Sequence, residues 1–365
     1  MLTVPSEEEN LEDQQELEKI KIAVVLPVYN TAKYLRECVD SLIRQTHANF
    51  NVFAVDDGST DESSAILDEC AARDKRFLVW HTGNSGVSAA RNFALEQIEK
   101  IGGFHLVAFC DSDDFVNPNF LHLYACGAVR YKAHFITIGY VKFDKNGVRG
   151  LKKKEMHPPL LLLGEELLEF GVLLHPLSSI SPAGAYFLNN VAFNANLIRG
   201  VRFDVKRSVG EDVEYRFRTI LRMDRGVAFS EIGYNYRIRK SSLSNRGLYP
   251  FGFGLDLYLD WLREVDGILI RVSEKIKALI IKEFRKEVVR AYECNELSET
   301  WDCFSEYYKE ISRFYKGCSV FSPGMEILFL FPSGPIMMKC FLFIRRFCSL
   351  SSRKKVAIKM LSAYE

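Results

Sequence analysis

The stretch Ile22 to Asn30 reads IAVVLPVYN, and the stretch Asn51 to Asp61 reads NVFAVDDGSTD. Each opens with an unbroken apolar run of strand length and ends in polar residues, so Ile22 to Leu26 and Asn51 to Val55 are predicted strands. Strands that are apolar on both faces are typical of a parallel sheet whose strands are joined by helices. The two stretches therefore predict an α/β fold, and the other elements can be placed around them.

The rest of the N-terminal half alternates in the same way. A helix after the first strand is predicted from an apolar face formed by Tyr34, Leu35, Cys38, Val39, Leu42 and Ile43. Ser59 and Glu62 have the spacing of a capping box, which predicts a helix that opens there and runs to about Ala72. The remaining predicted elements are the strands Phe77 to His81, Leu106 to Cys110 and Phe135 to Phe143, and helices starting near Ser85 and spanning Glu165 to Leu174.

Length and composition indicate a globular chain with a catalytic unit and an appendage. The chain has 365 residues, of which 48% are hydrophobic and 26% charged. We predict an acidic N-terminal segment at residues 1–19, an α/β domain at 20–245 and a mostly helical C-terminal region at 246–365. The formal net charge of +1 is too balanced for a protein held on nucleic acid by phosphate contacts, so no nucleic-acid partner is expected.

Cysteine usage and the N-terminus predict a cytoplasmic protein. The nine cysteines are scattered without any C-x-x-C pair, which is typical of a reducing compartment. A secretory signal needs a basic start and an apolar run, whereas this N-terminus carries Glu7, Glu8, Glu9, Glu12 and Asp13.

The C-terminal stretch Met325 to Phe347 is apolar but interrupted, which is unlike a membrane-spanning helix. Basic residues lie at its end and beyond it, at Arg345, Arg346, Arg353, Lys354, Lys355 and Lys359. Two interpretations stay open. The stretch binds peripherally to the cytoplasmic face of the inner membrane through its apolar side and anionic lipids, or it packs as a helix on the catalytic domain.

Polar clusters follow the predicted strands, at the sheet edge where open α/β folds bind ligands. Asp56 could accept a hydrogen bond from a base N–H or a ribose hydroxyl, and Tyr29 offers a ring on which a base could stack. The simpler interpretation of Asp57 to Asp61 is a turn that caps the next helix. The clusters expected to converge are Pro27-Val28-Tyr29-Asn30, Asp56 to Asp61, Arg91 with Asn92, and Asp111-Ser112-Asp113-Asp114.

The acidic cluster after the fourth predicted strand indicates a cation site. Crowded carboxylates repel one another unless a cation or protons neutralise them. Asp111 and Asp113, two residues apart, suit a hard divalent ion such as Mn²⁺ or Mg²⁺, which also binds phosphate oxygens. Such an ion would neutralise the charge on a departing nucleoside diphosphate.

The four clusters together resemble the family 2 glycosyltransferases of the GT-A fold. The likeness is carried by Pro27-Val28-Tyr29-Asn30, Val55 to Asp61, Asn84-x-Gly86-x-Ser88-x-x-Arg91-Asn92 and Asp111-Ser112-Asp113-Asp114, and it is dense over residues 20–125. It implies a Rossmann-like nucleotide-sugar-binding domain and an inverting transfer of the hexosyltransferase type. By the same resemblance Asp56 contacts the base, Arg91 lies near the nucleotide, and Asp111, Ser112 and Asp113 bind donor and metal.

An inverting transfer needs a general base, because a sugar hydroxyl is a weak nucleophile while it keeps its proton. Gly210-Glu211-Asp212 precedes an amphipathic helix and could be only an acidic helix N-terminus favoured by the helix dipole. Beside the other motifs it resembles the E-D motif of the family. Asp212 is then the predicted base, with Glu211 as its neighbour or substitute.

Further motifs are less specific. Tyr236 to Ser242 resembles the segment that follows the E-D motif, where Arg and Lys could hold a diphosphate or simply be solvated charges at a strand end. The seven histidines show no metal spacing and are expected to be structural or on the surface.

The predicted function is transfer from a nucleotide-sugar, most simply a UDP-sugar, to a hydroxyl of a polysaccharide, lipopolysaccharide or lipid-linked glycan. The alternatives are a nucleotidyltransferase, which would release pyrophosphate, and a non-catalytic nucleotide-sugar-binding protein. No Walker-type loop is present to cradle a triphosphate.

Overall fold

A computed structural model describes most of the N-terminal two thirds of the chain. The described residues are 7–144, 147–149, 158–168, 170, 188–207, 210–239, 253–266, 273, 276, 277, 280 and 306. The chain divides into two compact units, Met1–Gly247 and Leu248–Glu365. The predicted boundary at residue 245, most of the predicted helical region and the stretch Met325 to Phe347 lie outside the described residues. Across the described part, every helix is too short or too polar to cross a bilayer.

The first unit alternates helices and strands. Its helices are α1 (Glu7–Lys19), α2 (Ala32–Ile43), α3 (Ser63–Arg73), α4 (Val87–Ile101), α5 (Phe120–Tyr131), α6 (Glu165–Leu168) and α7 (Glu211–Ile220). Its strands are β1 (Ile22–Val28), β2 (Phe50–Asp56), β3 (Phe77–His81), β4 (Leu106–Phe109), β5 (Phe115–Val116), β6 (Phe135–Asp144), β7 (Gly147–Arg149), β8 (Leu160–Leu163), β9 (Val191–Asn194) and β10 (Arg225–Arg237). In the second unit the structure describes helix α8 (Phe253–Val265).

The strands form one sheet in the order β3-β2-β1-β4-β9-β6-β10-β5, with β7 beside β6 and β8 beside β10. The strands β3, β2, β1 and β4 are parallel, which confirms the predicted α/β fold. Beyond β4 the sheet is no longer purely parallel. Strand β9 runs antiparallel to both β4 and β6, so the sheet is mixed.

The first strand is two residues longer than predicted because its proline does not interrupt a ladder on both sides. Strand β1 continues through Pro27 to Val28 against β2, where Pro27 is in register with Val55. On its other side the pairing with β4 ends at Val25. Proline is tolerated where a ladder hydrogen bond is not needed, so Pro27 lies inside the strand.

The predicted capping box does not form. Helix α3 begins at Ser63, and Glu62 occupies the N-cap position without a side-chain cap. The Ser59 hydroxyl instead accepts a hydrogen bond from the backbone amide of Asn30 at 3.0 Å. Ser59 is therefore used to join two loops rather than to start the helix.

The helix predicted near Ser85 begins at Val87, after Gly86 in a left-handed conformation with φ of 91°. Of the predicted helix Glu165 to Leu174, the structure describes α6 as far as Leu168. Residues 169 and 171–174 lie outside the described part.

Gly139 lies where β6 passes an irregularity in β10, between residues 228 and 232. A Cβ there would lie 2.7 Å from the carbonyl oxygen of Ser230 and 2.8 Å from that of Glu231. Gly139→Ala is expected to lower the free energy of unfolding by about 1–3 kcal/mol, because two backbone groups must shift to admit the methyl group. Urea denaturation measures the loss. Gly83→Ala is the control, since nothing lies within 4 Å of its added Cβ.

Candidate active site

The loops after β1 and β2 are tied together by side chains. Asn30 has a positive φ of 50°, which asparagine tolerates better than most residues. Its Oδ1 accepts hydrogen bonds from the Thr60 amide at 2.7 Å and the Thr60 hydroxyl at 3.3 Å. Asp61 in turn accepts a hydrogen bond from the Ala32 amide. These contacts hold the two loops in one arrangement at the edge of the sheet.

Asp56 ends β2 with a carboxylate that is almost entirely buried, at 3% side-chain exposure. Its Oδ1 accepts from the Ser59 amide at 3.0 Å, and its Oδ2 accepts from the Ser64 hydroxyl at 2.5 Å and from His81 Nδ1 at 2.9 Å. Burial alone would raise the pKa of Asp56, but hydrogen bonds from His81, Ser59 and Ser64 outweigh it and lower the pKa. The carboxylate is therefore held ionised in a buried position.

Asp57 has a structural role, but it does not cap the next helix as the turn interpretation predicts. Its two carboxylate oxygens accept the backbone amides of Ser85 and Gly86, each at 2.8 Å. This fixes the loop before α4 against the end of β2. The helix that carries Arg91 is thereby positioned relative to Asp56.

The acidic residues after β4 form a compact cluster. The carboxylate oxygens of Asp111, Asp113 and Asp114 come within 4.8 Å of one another. Asp114 is buried and accepts hydrogen bonds from the Tyr234 hydroxyl at 2.6 Å and the Arg237 amide at 2.7 Å. Burial and the adjacent Asp113 and Asp111 raise the pKa of Asp114 well above its usual value. Asp114 therefore joins the cluster to β10.

Asp111 and Asp113 are more accessible than Asp114, at 30% and 15% side-chain exposure. Asp111 accepts hydrogen bonds from Arg91 at 3.1 Å and from Asn189 at 2.5 Å. Asp113 pairs with Arg239 at 2.5 Å. Burial and the nearby Asp111 raise the pKa of Asp113, so its ionised form depends on neighbouring cations.

Arg91 joins the acidic cluster to the predicted E-D motif. Its guanidinium is 6% exposed and contacts Asp111 Oδ1 and Glu211 Oε1, both at 3.1 Å. Burial alone would lower the pKa of Arg91, but Asp111, Glu211 and Asp212 outweigh it and raise the pKa. Three segments that are far apart in the sequence are therefore brought together by one buried cation.

Helix α7 brings Glu211 and Asp212 to this cluster. Gly210 at its N-terminus has a positive φ of 69°, and Tyr215 stacks on Phe203 with ring centroids 3.9 Å apart. Burial and Asp212 raise the pKa of Glu211, which is paired with Arg91. Asp212 Oδ1 accepts the amide of Val213 at 2.8 Å. In the described part of the chain, Asp212 is thus less constrained than Glu211.

Arg237 stabilises the loop of the acidic cluster. Its Nε donates to the carbonyl oxygen of Asp113 at 2.7 Å, and it pairs with Glu37 at 2.5 Å. The guanidinium also lies over the rings of Tyr34 and Phe143, at 4.9 and 4.5 Å from their centroids. These contacts favour a structural role for Arg237 over a phosphate contact, whereas Arg239 reaches the carboxylate of Asp113.

The predicted donor-binding residues divide by accessibility. Tyr29 is 47% exposed and available for stacking. Pro27 and Val28 are buried within β1, and the buried Ser112 hydroxyl accepts a hydrogen bond from Thr31 at 3.0 Å. These three side chains contact the protein interior. Their contacts with the donor stay predictions.

Three residues of the site were not predicted: Ser64, His81 and Asn189. Ser64 and His81 hold Asp56, and Asn189 holds Asp111. His81 ends β3 as Asp56 ends β2, so the rule that selected Asp56 applies to it as well. Asn189 lies in a 3₁₀ turn at Leu188–Asn190, and no sequence pattern marks it.

A family model and curated relatives match this chain. Residues 23–190 match the model "Glycosyl transferase family 2". "Glycosyltransferase GlyA" of Streptococcus pneumoniae is 32% identical over 230 residues, which are 61% of this chain and 31% of GlyA. "Uncharacterized glycosyltransferase EpsJ" of Bacillus subtilis is 27% identical over 239 residues, 65% of this chain and 66% of EpsJ. The chain therefore spans under a third of GlyA.

Solved structures share the fold. Residues 1–349 of S. aureus TarS, crystallised in complex with UDP-GlcNAc, superpose with a TM-score of 0.64 at 20% identity, covering 90% of this chain and 92% of the TarS chain. The complex of the same protein with UDP gives a TM-score of 0.62 at 18% identity. Residues 23–190 therefore match a glycosyl transferase family 2 domain, and the chain has a GT-A-like fold, as its sequence motifs predicted.

Proposed function

We propose that this protein transfers a sugar from a nucleotide-diphosphate-sugar to a hydroxyl acceptor with inversion at the anomeric carbon. The observation that carries the proposal is the bridge from Asp111 through Arg91 to Glu211. It brings the predicted donor and metal residues to the predicted catalytic pair. One side chain, Arg91, therefore contacts residues of both predicted motifs.

The acidic cluster fits a divalent cation. It offers carboxylate oxygens, the ligands that Mn²⁺ and Mg²⁺ prefer, and two of its members keep some exposure. Asp114 is taken by β10, so Asp111 and Asp113 are the proposed ligands. At Asp113 a cation competes with Arg239 for the carboxylate. Bound there, it would neutralise the charge on the departing diphosphate.

Each residue of the site has a proposed role in the reaction. Tyr29 and Asp56 hold the base of the donor, and Arg91 keeps Asp111 and Glu211 in place. Asp212 takes the proton of the acceptor hydroxyl as that oxygen attacks the anomeric carbon and the bond to the diphosphate breaks. Glu211, paired with Arg91, positions Asp212. The attack and departure lie on opposite sides of the anomeric carbon, which inverts its configuration.

A UDP-sugar is the proposed donor, supported by the fold shared with a TarS structure in complex with UDP-GlcNAc. The proposed acceptor is a polysaccharide, lipopolysaccharide or lipid-linked glycan. Such an acceptor fits a protein that lies in the cytoplasm. Its C-terminal stretch would then contact the inner membrane peripherally.

Loss of the proposed metal ligand tests this function. Purified protein with Mn²⁺ should bind UDP-sugars and release the nucleoside diphosphate, and Asp113→Asn should lower Mn²⁺ affinity at least about tenfold because one of few carboxylate ligands is lost. Calorimetric titration with Mn²⁺ measures affinity apart from activity. Asp204→Asn, at an exposed carboxylate, is the control and should leave Mn²⁺ affinity unchanged.

The released product distinguishes the alternatives. A nucleoside diphosphate is expected, whereas pyrophosphate would indicate a nucleotidyltransferase. Donor binding without any product, across varied acceptors, would favour a non-catalytic binding protein. Absence of both nucleotide-sugar and Mn²⁺ binding would overturn the proposed function.

A further inference from the structure

The imidazole of His81 bridges two carboxylates, those of Asp56 and Asp68. His81 is the last residue of β3 and lies beside Asp56 at the end of β2. Its Nδ1 contacts Asp56 Oδ2 at 2.9 Å and its Nε2 contacts Asp68 Oδ1 at 3.1 Å. Only the imidazolium form donates from both nitrogens, so the bridge is complete when His81 is charged.

The contacts of Asp56 leave one of its oxygens with spare capacity. A carboxylate has about four lone-pair positions, two on each oxygen. On Oδ2 both are used, by Ser64 and His81. On Oδ1 one is used by the Ser59 amide, and the Ser59 side chain, which also bonds this carboxylate, competes with a ligand for what is left. Asp56 can therefore offer a ligand at most one acceptor position, at Oδ1, as long as His81 occupies Oδ2.

Nucleotide bases differ in how many acceptors they need at this position. The imide edge of uracil has a single N–H between two carbonyl groups, so it needs one acceptor. Guanine presents adjacent N1–H and N2–H donors, which match both oxygens of a carboxylate. A carboxylate with one remaining acceptor satisfies uracil and leaves a guanine donor unpaired, which is costly in a buried site.

We propose that His81 is a positioning residue that presents Asp56 to the donor base as a single acceptor and thereby selects uracil over guanine. The proposal rests on the proposed function, because it assigns Asp56 to the base of the donor. His81 acts through Asp56 and does not itself contact the base. Asp68 orients the imidazole from the side opposite Asp56.

Two replacements of His81 separate its hydrogen bond from its bulk. Asparagine places an N–H donor close to the position of Nδ1, whereas leucine fills the space without any donor. His81→Leu is expected to lower the preference for UDP over GDP about tenfold, the worth of one hydrogen bond, because Oδ2 becomes free to accept from guanine. His81→Asn should keep the preference within about threefold of the wild type, because it retains that donor.

The experiment measures dissociation constants of UDP and GDP by calorimetry, with Mn²⁺ present, for the wild-type chain and both variants. Asp68→Asn serves as a matched control, because it leaves the bond between His81 and Asp56 in place and should keep the preference for UDP. Thermal unfolding of each variant identifies any loss of folding. Because the readout is a ratio of two affinities, a uniform loss of active protein does not change it.

The outcomes separate this proposal from the proposed function. If the wild type prefers UDP and only His81→Leu loses the preference, the positioning role is supported. If the wild type binds both nucleotides equally, or if His81→Leu keeps the preference, the positioning role is overturned while the transferase function stands. If no nucleotide diphosphate binds at all, the proposed function itself fails.

Discussion

Asp212→Asn is expected to slow release of the nucleoside diphosphate from a UDP-sugar by about 10²–10⁴-fold, the usual contribution of a general base. Asparagine keeps the shape of the side chain but cannot take a proton from a hydroxyl. The neighbouring Glu211 is held by Arg91 and does not replace it. Donor affinity should change little, because Asp212 is proposed to act on the acceptor.

Initial rates and calorimetric donor affinity together test this result. Glu214→Gln is the matched control: it lies in the first turn of the same helix, but it pairs with Arg218. The control should keep most of the activity. A rate near that of the wild type in Asp212→Asn would mean that another group is the base. An equal fall in donor affinity would mean that Asp212 is a binding or structural residue.

Arg91→Met is expected to lower the free energy of unfolding by about 3–5 kcal/mol, because it removes a buried cation from two carboxylates. Methionine fills part of the space of the side chain but leaves Asp111 and Glu211 without that partner. At 6% exposure, Arg91 is little screened by solvent. Donor turnover should also fall, since the bridge between the two motifs is lost.

Urea denaturation of Arg91→Met and Arg36→Met gives the comparison. Arg36 pairs with Glu69 at 2.9 Å, but both side chains are about half exposed, at 59% and 49%. Replacing Arg36 should therefore cost no more than about 1 kcal/mol. Similar small losses for the two variants would show that the Arg91 bridge contributes little to folding.

The parallel part of the fold was predictable because its signals are local. Each of β1, β2, β3 and β4 is a short apolar run, and the helices between them carry one apolar face. The carboxyl ends of these strands then indicated Asp56 and Asp111 as candidate ligand-binding residues. Contacts of Asn30, Asp57 and Arg91 link the predicted clusters.

The mixed part of the sheet was not predictable from local pattern. Strand β9 has only four residues, and the orientation of a strand depends on neighbours distant in the sequence. The capping box failed for a related reason. Ser59 has the local spacing to start a helix. Its hydroxyl instead accepts a hydrogen bond from the amide of Asn30, 29 residues earlier.

The contacts of individual site residues were the hardest to anticipate. Asp113 and Asp111 were correctly predicted to share a cluster, but nothing in their spacing indicated Asn189 or the pairing with Arg239. His81 was interpreted as structural or on the surface because it lacks metal spacing. Its position at the end of β3, and not its residue type, was the feature that indicated a place in the site.

The hydrogen bonds that Tyr234 and Arg237 donate to Asp114 bear on the order in which the site is built. They connect residues 120 and 123 positions apart, and β10, which supplies both partners, also separates β6 from β5. The stretch 23–190 that matches the family model ends before this strand. On the ribosome, a chain that has emerged only to residue 190 still lacks both partners of Asp114. These contacts of Asp114 can therefore form only after the segment beyond residue 190 has been synthesised.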